Sequence, residues 1–168
     1  MIIRSGGEAD IAAISALHTA SWRSAYDEIL PAWYLDGPLP GDHLDRWQQR
    51  LADASSPGLF IAEADSVLVG FVYLQLAEDR RVIIDNLHAA PLHRGVGVGT
   101  RLIEAGLLWA ANAYPGRSVY LEVFRENTAA IAFYERRGGR RTASGITRFE
   151  AGFEVPVYEY TWSSVGPA

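Results

Sequence analysis

The stretch Arg-Gly-Val-Gly-Val-Gly, residues 94–99, has the spacing that most clearly predicts chemistry. It stands between a segment with the apolar pattern of a strand and one with the pattern of a helix. Alternate glycines remove side chains, so backbone N–H groups can approach a ligand, and the positive end of the following helix adds to their effect. We expect an anion site with phosphate as its natural ligand, although the glycines could also serve only a tight turn.

Two common phosphate loops fit this stretch poorly. The chain has no lysine, since every one of its 15 basic residues is arginine, so the Walker A lysine is missing. The dinucleotide fingerprint Gly-x-Gly-x-x-Gly lacks its third glycine when it is aligned from Gly97. A Rossmann-type nucleotide-cofactor oxidoreductase stays open as an alternative, because Glu122 stands on the next strand about where a ribose-binding acid is expected.

Composition narrows the function classes further. The chain has 168 residues, of which 49% are hydrophobic, and this predicts one globular domain over residues 1–168. The lack of cysteine excludes disulfides and thiolate chemistry and fits a cytoplasmic protein. A net charge of -5 argues against nucleic acid or an anionic membrane as a partner. We find no apolar run long enough for a signal peptide or a membrane span.

Hydrophobic periodicity predicts the elements that position the loop. Strands are expected at residues 1–5, 59–64, 67–76, 81–89, 119–124 and 156–162. Helices are expected at residues 9–26, around 44–51, from the glycine loop to 113, and from the N-cap Asn127 to a stop at Gly138. Residues 31–42, rich in Pro and Gly, are expected to form a loop. Strands before and after a central helix predict an α/β fold with a mixed sheet and helices on both faces.

The glycine loop contains the pattern Arg-x-x-Gly-x-Gly/Ala and resembles the pyrophosphate loop of the GNAT superfamily of acyl-CoA-dependent N-acetyltransferases. The flanking segments Leu-His-Ala-Ala-Pro, residues 87–91, and LEVFRENTAAIAFYERRG, residues 121–138, are similar to further family signatures. The order of elements is similar over nearly the whole chain. The resemblance implies a mixed, mostly antiparallel sheet of about seven strands. One departure is Gly139, where the family usually has an aromatic or hydrophobic residue.

The resemblance also implies an activity: direct transfer of an acetyl group from acetyl-CoA to a primary amine of a small molecule or peptide, with no metal. A non-catalytic acyl-CoA-binding module is a further alternative, and a homodimer could form through the front segment or the final strands. The residues implied to bind the cofactor are Leu87, His88, Ala89, Arg94, Gly95, Val96, Gly97, Val98, Gly99, Thr100, Asn127 and Tyr134.

Acetyl transfer requires a neutral amine and a proton for the leaving thiolate. Glu122 matches the strand glutamate that acts as base in N-terminal acetyltransferases, although it could also be a solvated side chain. Asp85, His88 and solvent are rival bases. Tyr134 follows Asn127 by two helical turns, so both lie on one face, and the resemblance implies that Tyr134 is the acid.

Aromatic residues are concentrated in the front segment, where the family builds its acceptor site. We expect Trp22 and Tyr26 to line that site together with Asp85, and Trp33 and Tyr34 are further candidates. His18 and His43 have no metal-ligand partners at a sensible spacing, so no site is expected at either.

Overall fold

The computed structural model describes residues 1–52 and 58–163, which form seven strands and five α-helices. The strands are β1 Ile2–Ser5, β2 Gly58–Ala64, β3 Val67–Leu76, β4 Val82–Ala89, β5 Val119–Phe124, β6 Arg140–Arg148 and β7 Glu154–Trp162. The helices are α1 Ile11–Ala25, α2 Ala32–Asp36, α3 Leu39–Ala52, α4 Val98–Ala113 and α5 Thr128–Arg136. Among the described residues, no helix is both long enough and apolar enough to cross a bilayer.

The strands form one sheet in the order β1-β2-β3-β4-β5-β7-β6. All neighbours are antiparallel except β4 and β5, which are parallel. The predicted fold class is therefore confirmed. A Rossmann-type fold requires a mostly parallel sheet, so that alternative is wrong.

The parallel joint between β4 and β5 is short. Their ladder contains only the pairs Val82–Val119 and Ile83–Tyr120, although both strands continue beyond it. A cavity lies between the continuing parts, with residues 83–88 on one side and 121–124 on the other. The middle of the sheet is thus open on the side toward the carboxyl ends of these two strands.

Helices cover both faces of the sheet, as predicted. On one face α4 packs so closely that a Cβ on Gly106 would lie 2.8 Å from Leu74. On the other face α1 and α3 bury Ile14 and Trp47 against Phe71. The helices pack on these faces because the contact buries large apolar side chains of both the helices and the sheet and so removes their surface from water.

Two elements differ from the sequence-based expectation. The expected loop at residues 31–42 contains α2 and the first turn of α3, where Pro40 is tolerated because first-turn N–H groups need no helical partner. Strand β6 was not predicted individually. It lies at the sheet edge and is almost entirely exposed, so its residues show no alternation of buried and exposed side chains.

Candidate active site

The glycine loop has the backbone conformation that its glycines allow. Gly95 and Gly97 have φ values of +78° and +89°, in the left-handed region that favours glycine. Gly97 is the N-cap of α4 and provides no side-chain hydrogen bond. The first N–H groups of this helix therefore have no side-chain cap from Gly97, and such groups form an anion site at a helix N-terminus.

A groove runs along this loop between the end of β4 and α5. We call it the loop groove. It is lined by these residues from the sequence-based set: Leu87, His88, Ala89, Arg94, Gly95, Gly97, Val98, Gly99, Thr100, Asn127 and Tyr134. Val96 is the exception, because its side chain is 67% exposed and lies outside the lining.

Cationic side chains surround the loop groove. Arg94 lies in its wall and donates a hydrogen bond of 3.1 Å from Nη1 to Oγ of Ser24. Arg136 and Arg137, at the end of α5, also line it and were not predicted. Positive charge here agrees with the anion site expected at the glycine loop.

The cavity between β4 and β5, which we call the inter-strand cavity, meets the loop groove end to end. Five residues line both: Tyr26, Leu87, His88, Asn127 and Tyr134. Ligands bound in the two would therefore meet at this junction. The fold brings the predicted acid Tyr134 to the junction itself.

Two tyrosine hydroxyls are held protonated at the junction. Burial raises the pKa of Tyr134 well above its usual value, with a smaller contribution from Tyr26. Burial also raises the pKa of Tyr26 to about 12, against the opposing effect of the Asn127 side chain. Both hydroxyls therefore carry a proton at neutral pH, as a general acid must.

Helix α5 fixes the direction of Tyr134. The Asn127 side chain accepts a hydrogen bond of 3.3 Å from the N–H of Ala130, which confirms the predicted N-cap. The Tyr134 ring packs edge-on against Trp162, with 6.1 Å between ring centroids. A capped helix and an aromatic neighbour together restrict the ring.

The three predicted bases have different surroundings. Glu122 lines the inter-strand cavity with an exposed side chain, which accepts a hydrogen bond of 3.4 Å from Thr147. Asp85 lines it too, but its carboxylate is paired with Arg50 and accepts a hydrogen bond from Asn86. Of the two carboxylates in the cavity wall, Glu122 alone has no arginine partner in the described part of the chain.

His88 lies at the junction, where Nδ1 shares a hydrogen bond of 3.0 Å with Oγ of Ser21. Burial lowers the pKa of His88 to about 3, and the nearby Arg94 lowers it further in the same direction. The ring is therefore neutral at pH 7. Ser21, from α1, was not predicted as a site residue.

Three histidines lie close together beside the inter-strand cavity. The rings of His18 and His43 lie parallel with 3.6 Å between centroids, and His88 is 4.7 Å from His18. Nδ1 of His18 accepts a hydrogen bond of 3.1 Å from Nε1 of Trp47, so the neutral ring carries its proton on Nε2. His18 lines the inter-strand cavity, although no site was expected for it. Within residues 1–52 and 58–163 no cluster of side chains could hold a metal ion.

Aromatic residues form part of the wall of the inter-strand cavity, and only some of them were named in the sequence analysis. Trp22 and Tyr26 line the inter-strand cavity together with Phe124 and Phe149. Trp33 and Tyr34 do not line it: Trp33 is largely exposed, and Tyr34 is buried in a separate apolar cluster. Arg46 and Arg50 of α3 complete the wall and were missed, because no local signal shows that α3 reaches β4.

Comparisons with known proteins agree with this geometry. The family model described as "Acetyltransferase (GNAT) family" matches residues 22–139. Mycothiol acetyltransferase of Streptomyces griseus is 37% identical over 83 residues, which are 48% of this chain and 26% of that protein. This chain therefore spans about a quarter of the length of that curated relative.

Two solved structures share the fold. A GCN5-related N-acetyltransferase of Rhodopseudomonas palustris superposes with a TM-score of 0.78 at 23% identity, covering 96% of this chain and 94% of that one. The PaiA N-acetyltransferase of Thermoplasma acidophilum, in complex with coenzyme A, has a TM-score of 0.69 at 19% identity, covering 96% and 98%. Since the family model covers most of the sequence, the chain belongs to the GNAT acetyltransferase family.

Proposed function

We propose that this chain transfers an acetyl group from acetyl-CoA to a primary amine of a small molecule or peptide. The observation that carries the proposal is the meeting of two differently built cavities at His88, Asn127 and Tyr134. One has a glycine loop and arginines suited to a phosphate-bearing ligand, and the other has aromatic and charged side chains suited to an acceptor. Family membership and a relative crystallised with coenzyme A support the same conclusion.

The loop groove fits the proposed cofactor. A Cβ on Gly95 or Gly97 would meet nothing within 4 Å, so open space lies in front of both residues. The N–H groups between Arg94 and Thr100 would hold the pyrophosphate, with Arg94, Arg136 and Arg137 supplying positive charge. Leu87, His88 and Ala89 on one side and Asn127 on the other would hold the pantetheine arm.

Acetyl-CoA supplies the acetyl group as an activated thioester. Residues of the chain would accept one proton from the acceptor amine and donate another to the leaving thiolate. Glu122 would take a proton from the ammonium form of the acceptor, through water, because its carboxylate is exposed to the inter-strand cavity. Tyr134 holds a proton at its hydroxyl and would give it to the departing sulfur. His88, Asp85 and solvent are the alternative proton acceptors, and the carboxylate of Asp85 is already paired with Arg50.

The experiment that tests this function has two parts. Isothermal titration with acetyl-CoA, CoA, NADH and NADPH measures which cofactor binds, and we expect binding of the first two only. Amine-dependent release of free thiol from acetyl-CoA, followed with a thiol reagent, measures turnover. The chain has no cysteine, so the protein itself adds no thiol signal. Binding of acetyl-CoA without thiol release for any of a broad set of amines would favour the non-catalytic binding module instead.

A further inference from the structure

Two arginines on one face of α3 reach the wall of the inter-strand cavity. Arg46 and Arg50 are four residues apart, so their side chains project from the same side of the helix. The rest of this wall is formed by β4, β5 and aromatic side chains. The pair therefore concentrates positive charge on one wall of a cavity that the proposed acceptor must enter.

The guanidinium of Arg50 is held by several contacts, but one of its nitrogens has no hydrogen-bond partner among the described residues. It lies over the rings of Trp47 and Tyr73, with its central carbon 5.1 Å and 5.2 Å from their centroids. Its Nη2 pairs with Asp85. Its Nη1 is buried and has no hydrogen-bond partner among the described residues. A buried donor of this kind costs free energy unless a partner is supplied.

Arg46 carries the free charge of the wall. It is exposed and forms no ion pair within the residues that the structure describes. Its charge also helps to lower the pKa of the neighbouring His18 and His43, after the larger effects of their burial and of His88. Because burial lowers their pKa values, His18 and His43 are neutral and do not compete for an anion.

The cavity wall has balanced charges. It contains four charged side chains, the cations Arg46 and Arg50 and the anions Asp85 and Glu122. The pairing of Arg50 with Asp85 leaves one cation, Arg46, and one anion, Glu122. A ligand that carries one positive and one negative charge is the match for such a site.

The positions along β4 give the ligand a direction. Asp85 lies beside Arg50, at the end of the cavity wall that the arginines form. His88, at the junction, follows Asp85 by three residues, which is about 10 Å along a strand. The proposed reaction takes place at the junction. The amine of the acceptor must therefore point toward His88, with its anionic group toward α3.

We propose that the acceptor is a zwitterion, a primary amine that also carries a carboxylate or phosphate, and that Arg46 and Nη1 of Arg50 bind this anionic group. The proposal rests on the proposed acetyl transfer and specifies its substrate class. An arginine can bind either anion through two hydrogen bonds, so the two sources share one recognition chemistry.

Matched acceptors test the proposal by turnover. We would compare phenylalanine with phenylalaninamide, β-alanine with β-alaninamide, and O-phosphoethanolamine with ethanolamine, measuring kcat/KM by thiol release. The anionic member of a pair should be preferred by tenfold or more, mainly through KM. A preference within the phenylalanine or β-alanine pair indicates a site for a carboxylate, and a preference within the O-phosphoethanolamine pair indicates a site for a phosphate.

Variants assign the preference to its residue. Arg46→Gln should remove the preference, and Arg46→Lys should keep part of it by retaining the charge. Arg148→Gln is the matched control, because Arg148 is exposed on β6 and lines neither cavity. It should leave the preference unchanged.

A binding measurement separates this proposal from the proposed reaction. N-acetylphenylalanine and its amide are titrated into the CoA-saturated protein, which requires no turnover. Tighter binding of the carboxylate, lost in Arg46→Gln, supports the anion site even if no amine is acetylated. Equal binding and equal turnover of charged and amide partners, or a preference that survives in Arg46→Gln, would overturn it.

Discussion

The indole of Trp162 occupies the space that a side chain at Gly139 would need. A Cβ on Gly139 would lie 2.8 Å from Cζ2 of Trp162 and 3.1 Å from the carbonyl oxygen of Tyr134. The same indole donates a hydrogen bond of 2.8 Å from Nε1 to the carbonyl oxygen of Arg137. Gly139 departs from the family pattern and leaves a space behind α5. The large side chain of Trp162, from β7, fills that space.

Gly139→Ala should destabilise the protein by about 1–3 kcal/mol, because the added methyl overpacks a rigid contact. Gly145→Ala is the control, since its Cβ would have only an ordinary contact, 3.9 Å from Val157. The free energy of unfolding in urea measures the difference. Equal stability of the two variants would show that the Trp162 contact gives way without cost.

Gly97→Ala should weaken CoA binding by tenfold or more, because Gly97 lines the loop groove and we expect the added methyl to obstruct the approach of the pyrophosphate to the backbone N–H groups. The left-handed φ of +89° adds a folding cost of about 1–2 kcal/mol. Gly116→Ala has a similar φ of +78° and equally open surroundings, but lies outside the loop groove. Calorimetric titration should show normal CoA affinity for Gly116→Ala only.

Tyr134→Phe should lower kcat by about 100- to 10,000-fold, because it removes the proton donor and keeps the ring against Trp162. The affinity for acetyl-CoA and the stability should change little. Tyr114→Phe, at a tyrosine that packs on Trp109 away from both cavities, is the control. Unchanged turnover in Tyr134→Phe would assign the residue to packing alone.

Glu122→Gln should lose rate most at low pH, where little of the acceptor amine is already neutral, and should recover as pH rises toward the pKa of the amine. The profile of kcat/KM against pH with one fixed acceptor measures this. Glu104→Gln, an exposed change on α4, should keep the wild-type profile. Identical profiles in both variants would exclude Glu122 and leave Asp85, His88 or solvent as the base.

Stability should fall with acidification below about pH 6.5. Burial lowers the pKa of His43 to about 3, so the unfolded chain takes up a proton between these values and the folded chain does not. The cost is about 1.4 kcal/mol at pH 5.5 for one such histidine. His43→Asn should therefore lose less stability between pH 7 and pH 5.5 than the wild type, as measured by urea unfolding at both values. An equal loss would show that His43 is protonated in the folded protein.

The sequence predicted the second half of the site better than the first. The glycine loop, Asn127 and Tyr134 lie on consecutive elements, so short-range patterns determine their relation. Ser21, Arg46 and Arg50 reach the site only because α1 and α3 pack across β3 and β4. That packing depends on side chains such as Trp47 and Phe71, which are far apart in sequence, and no local pattern reports it.

The short ladder of two residue pairs between β4 and β5 divides the sheet into a half of four strands and a half of three. Arg81 fastens this joint, because it pairs with Glu159 at 3.0 Å and lies over the ring of Tyr120 at 3.8 Å. The two halves of the sheet are therefore joined at one end of β4 and β5 and are separated by the inter-strand cavity at the other end. Arg81 does not line the inter-strand cavity, so we expect a substitution of Arg81 to change the width of that cavity without altering any residue of its wall.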